Sequence, residues 1–266
     1  MKKIQTIIRK EWQEVFHNRL VIFTVVFLPL IMTAIPLAIL YGMRSSGSTS
    51  AASAAAEQLP TEMAALCPGD LNGNDCLQVF LVSQFMMLFM IVPVAIPGAI
   101  AGYSVVGEKT TRSLEPLLAT PITTVELLLG KCLSAVIPAV AATYGAFGIF
   151  ALGAWIMLQN PSLLSVLLDA RWLLAVFLVG PLMAVLAVTF ALMVSSRVND
   201  PRVAEQISVV IIIPVLAGFF GQMSGLFILN KEIITITAAV LLFVDGLMFY
   251  LATRVFQRES ILTRWR

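Results

Sequence analysis

The chain has 266 residues, of which 59% are apolar and 12% charged, with a mean hydropathy of +0.94. That balance excludes a soluble globular domain, and a net charge of +2 is too small for a nucleic-acid binder that relies on a basic surface. At about 20 apolar residues per span, the length accommodates six transmembrane helices and short loops, without a second soluble domain.

In chain order, residues 3–17 read as an interfacial helix lying flat on the membrane. Ile4, Ile7, Ile8, Trp12, Val15 and Phe16 share one face, while Lys2, Lys3, Arg9 and Lys10 supply charge suited to anionic headgroups. The alternative is an ordinary charged leader. A cleaved signal peptide fits less well, because the apolar run that follows is too long and the leader contains Glu11 and Glu14. That run, residues 20–43, is transmembrane helix 1.

Residues 44–75 change to an Ala/Ser/Gly tract followed by Pro, Gly and Asn turn signals, which predicts a loop outside the membrane. Cys67 lies in this region and Cys76 immediately after it. They either close a small disulfide loop around Pro68, Gly69 and Gly73 or stay as two thiols. No nearby His or further Cys completes a metal ligand set. Helix 2, residues 78–104, is uncharged and contains Pro93 and Pro97, which predict a kink.

Residues 108–131 are the densest polar interruption between two long apolar segments. Glu108, Lys109, Arg112, Glu115, Glu126 and Lys131 accompany Leu114, Leu117 and Leu118, which fall at the spacing of one helical face. A short amphipathic helix over residues 108–122, with an apolar side that needs a partner, is the simplest reading. Thr123 followed by Glu126 forms a capping-box pattern at the start of helix 3, residues 124–156. Helices 4, 5 and 6 follow at 172–196, 205–229 and 233–253, and residues 254–266 form a basic tail.

Orientation follows from Lys and Arg placement. Putting both termini, the 104–131 segment and the 195–205 loop on one side leaves only Arg44, Arg171 and Lys231 on the other. The positive-inside rule makes the richer side cytoplasmic. The expected architecture is therefore an all-α, six-span plasma-membrane protein with both termini inside, in contact with membrane lipid and with no nucleic-acid partner.

No catalytic or phosphate-binding motif is present. Before Gly130-Lys131, Val125 stands where a phosphate loop needs its first Gly, and Cys132 stands where it needs Ser or Thr. His17 is the only histidine, which leaves no His-based metal centre or Ser-His-Asp triad. The chain is not expected to be an enzyme or to bind a cofactor. Asp245 is the one acidic residue deep in an apolar helix, where a carboxylate costs about 2.5–3.5 kcal/mol. It is either a pathway residue or a hydrogen-bonded packing anchor, and Gln84 and Gln222 are weaker cases of the same kind. Ala217, Gly221 and Gly225 on helix 5, and Ala141 and Gly145 on helix 3, have the spacing of close helix packing within one subunit or across a dimer seam.

The order EK, then LEPLLATPI, then ELLLGK resembles the permeases of type-2 ABC exporters, the class that includes sodium and drug efflux permeases. Glu108, Lys109, Leu114, Glu115, Leu117, Leu118, Pro121, Glu126, Gly130 and Lys131 carry the resemblance. SSRVNDPRVAEQ after helix 4 and the Trp-containing basic tail add to it. The chain departs from many members at Arg112-Ser113, where they have Gly-Thr.

The resemblance implies that residues 108–122 form a coupling helix docked on a separate ATP-binding subunit that holds ATP and Mg²⁺. It also implies a second permease subunit, identical or different. Leu114, Leu117, Leu118 and Pro121 would anchor the docking, and Glu108, Arg112 and Glu115 would pair with charges on the partner. An ATP-independent channel or carrier predicts internal repeats with paired broken helices or several buried ionisable residues. The sequence has neither feature, and a non-transporting membrane scaffold is the third reading. No residue pattern selects a substrate.

Overall fold

A bilayer core offers no water to backbone polar groups, so a lipid-embedded chain of this composition must satisfy them within helices. The structure, a computed structural model, describes residues 2–17, 19–45, 73–110, 122–158, 161–198, 200–226 and 229–255. Every regular element among them is helical, and six stretches are long and apolar enough to cross a membrane.

Helix α1 spans Lys2–Val15 and α2 spans Arg19–Ser45. The second expected span is divided into α3, Gly73–Phe89, and α4, Val92–Thr110, by a turn at Met90 and Ile91. Pro93 accounts for the position of this break. Its nitrogen cannot donate to the carbonyl of Phe89, and its ring favours the first turn of a new helix. Helix α5 spans Thr124–Met157.

The fourth span begins earlier than the expected residue 172. Short helices α6, Pro161–Leu167, and α7, Ala170–Leu174, lead through a π-helical turn, Ala175–Val179, into α8, Gly180–Arg197. Pro181 lacks the N–H that would bond to Phe177 four residues back, so this carbonyl lacks its α-helical partner. The Tyr144 hydroxyl of α5 donates to it at 3.2 Å, and the Tyr144 and Phe177 rings lie 4.6 Å apart.

The fifth span starts with α9, Pro201–Ser208, tightens through a 3-10 turn, Val209–Ile212, and continues as α10, Ile213–Met223. It stops six residues before the expected residue 229. Leu226 N–H donates to the Gly221 carbonyl and Gly225 N–H to that of Gln222, with Gly225 at φ 75°. This is a Schellman end, and it needs a residue that tolerates the left-handed region. Helix α11, Lys231–Val255, is the last described element.

At the centre, α4 and α8 make the most extensive helix pairing, and α4 also packs against α2, α5 and α9. On α8 the fully covered residues are mostly small: Ala184, Ala187, Val188, Thr189, Ala191 and Ser195. Helix α5 follows the same rule. Ala135, Ala139, Thr143, Ala146 and Ala154 are buried, whereas Ile137, Ile149, Leu152, Trp155 and Ile156 are exposed. Leu128, Phe147, Phe150 and Leu192 are buried exceptions; elsewhere bulk faces outward because lipid is as apolar as Leu, and association is driven by close packing of small side chains.

Close approach occurs at glycines other than those singled out by spacing. A Cβ at Gly153 would lie 2.7 Å from Leu37 of α2, and one at Gly218 would lie 2.6 Å from Met87 of α3. Gly145 meets nothing within 4 Å, and Ala141 and Ala217 are exposed, so none of these three packs within the subunit. Gly221 is buried, and Gly225 serves the turn.

Candidate functional site

Helix α4 delivers the chain to the polar stretch and α5 receives it. Arg112, Leu114, Glu115, Leu117, Leu118 and Pro121, with most of the expected coupling helix, lie outside the described residues. Glu108 is on the last turns of α4, but its side chain is not among those described. What the structure defines is how the two ends of the stretch are held.

The receiving end is capped. Thr123 has extended backbone, φ −76° and ψ 152°, and its hydroxyl accepts from Glu126 N–H at 3.2 Å. The Glu126 carboxylate accepts from Thr123 N–H at 2.9 Å, which completes the capping box predicted by the pattern. Lys3 of α1 comes within 3.7 Å of the same carboxylate.

That contact begins a longer seam between α1 and the first turns of α5. Ile7 packs onto Gly130, where a Cβ would lie 2.8 Å from the Ile7 side chain. Glu11 and Lys131 form an ion pair at 2.7 Å with side chains only 3% and 2% exposed. Trp12 Nε1 donates to the Ser134 carbonyl at 2.9 Å. This carbonyl is the one that Pro138, four residues on, cannot serve, so Trp12 replaces a missing helical bond. The partners advance together, from Lys3 to Trp12 on one helix and from Glu126 to Ser134 on the other. At 1.5 Å per residue these are matching rises of about 13.5 and 12 Å, so α1 runs alongside α5.

Helix α1 thus carries one face packed on protein. Ile7, Glu11 and Val15 are buried, while Lys3, Arg9, Gln13, Glu14 and Phe16 are exposed. Ile4, Ile8 and Trp12 are half-buried, so only part of the apolar stripe is covered by protein. Helix α5 is long enough for this arrangement: its 34 residues measure about 51 Å against a hydrocarbon core of about 30 Å. Glu11 was missed because it was read only as leader charge. The available signal was its place between Ile7 and Val15 at i+4 spacing, together with Lys131 near the start of the third apolar span.

The remaining polar residues fall into two groups. Asp245, 7% exposed, faces inward on α11, which packs chiefly on α8 and also on α5. It is close enough to Cys132 of α5 to interact electrostatically. Gln84 of α3 and Gln222 of α10 are buried where those two helices meet. The Gly218–Met87 contact places them at a similar height, because these helices run in opposite directions. Both carboxylate oxygens of Asp245, both amide atoms of Gln84 and the Gln222 oxygen have no hydrogen-bond partner among the described residues.

Cys132 is buried and free. Cys76, on the first turn of α3, is disulfide-bonded, and Cys67 lies outside the described residues. At the end of the bundle away from α1, Asp169 accepts from Arg171 Nε at 2.5 Å and lies 4.0 Å from Lys231. Arg171 also donates to the Leu229 carbonyl at 3.5 Å. Two of the three cations expected on the outer side therefore share one carboxylate. Among the described residues, no three His, Cys, Asp or Glu side chains gather as a metal site.

No curated protein matches the chain. Compared with known families, residues 5–258 match the model of the ABC-2 family transporter protein. The match takes in α1 from residue 5 onward, the polar stretch and all six candidate spans. The chain therefore belongs to the ABC-2 transporter family: it is a multi-pass transport permease of an ABC system, the kind of subunit that works with a separate ATP-binding subunit rather than containing that domain itself.

Proposed function

We propose that the chain is the membrane-spanning subunit of an ATP-driven exporter, in which residues 108–122 receive the closure of the ATP-binding subunit. The observation that carries this reading is the way both ends of the stretch are anchored. Helix α4 arrives from the centre of the bundle, paired with α8, and α5 leaves through a capping box braced by α1. A displacement of the stretch would reach packed helices directly instead of being absorbed by slack chain.

In this reading Leu114, Leu117 and Leu118 seat the stretch in a groove of the partner, with Pro121 marking its end. Glu108, Arg112 and Glu115 pair with charges there, and ATP and Mg²⁺ are held entirely by the partner. Two permease copies, identical or different, line the pathway. The distribution of Lys and Arg supports a plasma-membrane protein with both termini and the stretch in the cytoplasm. It leaves the 44–75 loop outside, where Cys67 would pair with Cys76. Asp245, Gln84 and Gln222, buried with unused polar atoms, are the pathway residues to examine first.

Purification of the tagged chain in mild detergent, followed by ATPase measurement, tests the proposal. The chain should retain an ATP-hydrolysing subunit. Glu115→Lys should leave that subunit bound while reducing permease-dependent hydrolysis about tenfold, the effect of about 1.4 kcal/mol. A chain that never retains such a subunit removes the exporter reading. Full stimulation in Glu115→Lys removes the role of Glu115.

A further inference from the structure

We infer that α1 and the first three turns of α5 form one rigid body, with Glu11 and Lys131 as its positioning residues, so that α1 moves with the coupling stretch during the transport cycle. The inference rests on the exporter reading and adds to it a part of the chain with no docking motif of its own.

Three specific contacts support it, beyond apolar packing. An apolar stripe alone would let α1 slide or rotate along α5, because Ile and Val make similar contacts in neighbouring registers. The Glu11–Lys131 pair removes that freedom: it is 2.7 Å long and almost completely covered, so any shift breaks a buried ion pair. Gly130 allows only one close approach, with Ile7 over the bare Cα. Trp12 fixes the height, since its indole must reach the single carbonyl left open by Pro138. Buried polar contacts of this kind contribute little net stability but select one register.

The position of the seam gives it a function. It starts at Glu126, four residues after the end of the 108–122 segment, and ends at Ser134, just below Pro138. A helix lacking one backbone bond bends most easily at that point. The foot of α5 is thus stiffened by α1 below a natural bending point, and a push on residues 108–122 would tilt the braced foot as a unit. A flexible foot would bend locally and dissipate the same push.

The test uses the full chain in complex with its ATP-binding subunit, reading the amount of complex and the hydrolysis rate per complex. Glu11→Gln and Lys131→Met should each lower permease-dependent stimulation about tenfold, within ordinary coupling energies, with the subunit still bound. The double variant Glu11→Gln with Lys131→Met should stay as low as the single variants, because the register lock is absent in all three, and full stimulation in it would overturn the inference. Reduced protein level with full stimulation per complex would make the pair merely structural and overturn the inference.

A surface variant tests the same point without disturbing the buried pair. Lys3→Cys with Glu126→Cys, joined by a short bifunctional thiol reagent, should hydrolyse ATP equally well before and after cross-linking. Loss of hydrolysis on cross-linking would mean that α1 must slide on α5, and the inference fails. If the wild-type chain retains no ATP-binding subunit, the exporter reading fails first, a result distinguishable from either of these.

Discussion

Lys131 and Asp245 are both ionisable side chains covered by apolar helices, 2% and 7% exposed, yet one is matched and the other is not. Lys131 meets Glu11 at 2.7 Å in a seam that also fills a glycine notch and satisfies a proline-orphaned carbonyl. Both oxygens of Asp245 lack a partner among the described residues. The buried hydroxyls show that the bundle handles ordinary polarity locally: Thr143 and Ser208 each donate to their own helix four residues back, at 2.7 Å. A carboxylate cannot do this, because it has no proton to donate. The comparison teaches that burial alone does not assign a role. A matched charge fixes geometry, whereas an unmatched one is a standing cost that function must justify.

The largest expected effect breaks the matched site. Lys131→Met alone breaks the buried pair with Glu11 and should destabilise the subunit by about 3–5 kcal/mol, more than Glu11→Leu with Lys131→Met does. Thermal unfolding in detergent or nanodiscs reads both. Equal losses in the single and double variants would mean that the pair contributes nothing beyond packing.

The unmatched site should respond in the opposite direction. Asp245→Leu removes an unsatisfied buried group and should raise stability by about 1–3 kcal/mol. Paired with Asp245→Asn in a transport assay, it separates the two roles. Stabilisation with loss of transport marks a pathway residue, while unchanged transport in Asp245→Asn removes that role. A lower melting temperature in Asp245→Leu would indicate that Asp245 has an anchoring partner after all.

The smallest effect lies at the entrance to the matched site. Thr123→Ala deletes the hydroxyl half of the capping box and should cost about 1 kcal/mol. Because the cap is exposed, amide hydrogen exchange in the first turn of α5 should rise while exchange beyond Pro138 is unchanged. Equal protection in the two proteins would mean that α1 alone holds the foot.

Much of the architecture could be read from the chain. The six spans, the cap at Thr123 and the polar stretch between the second and third spans all follow from hydropathy and short-range pattern. Pro93 predicted a kink, and the structure makes it a full break at Met90 and Ile91. The early start of the fourth span was not legible, because the short helices before Ala175 look like loop when judged by a window long enough to detect a span. The end of α10 at Met223 was hidden by the apolar residues that continue to Leu229. Gly225 was the available sign, but it had been counted as part of a packing stripe.

The sequence by itself determined that six stretches are long and apolar enough to cross a membrane, which segments carry the Lys and Arg residues, and the family to which the chain belongs, because each depends on composition and local order. Only the tertiary structure decided what each helix touches. In lipid the outer face of a helix is as apolar as the inner one, so periodicity does not show that Ala139, Ala146 and Ala154 face inward while Leu152 and Ile156 face out. The same degeneracy hid the partner of α1. An apolar stripe suits an acyl chain and a neighbouring helix equally well, and only the meeting of Glu11 with Lys131, 120 residues away, shows which part of it meets a helix.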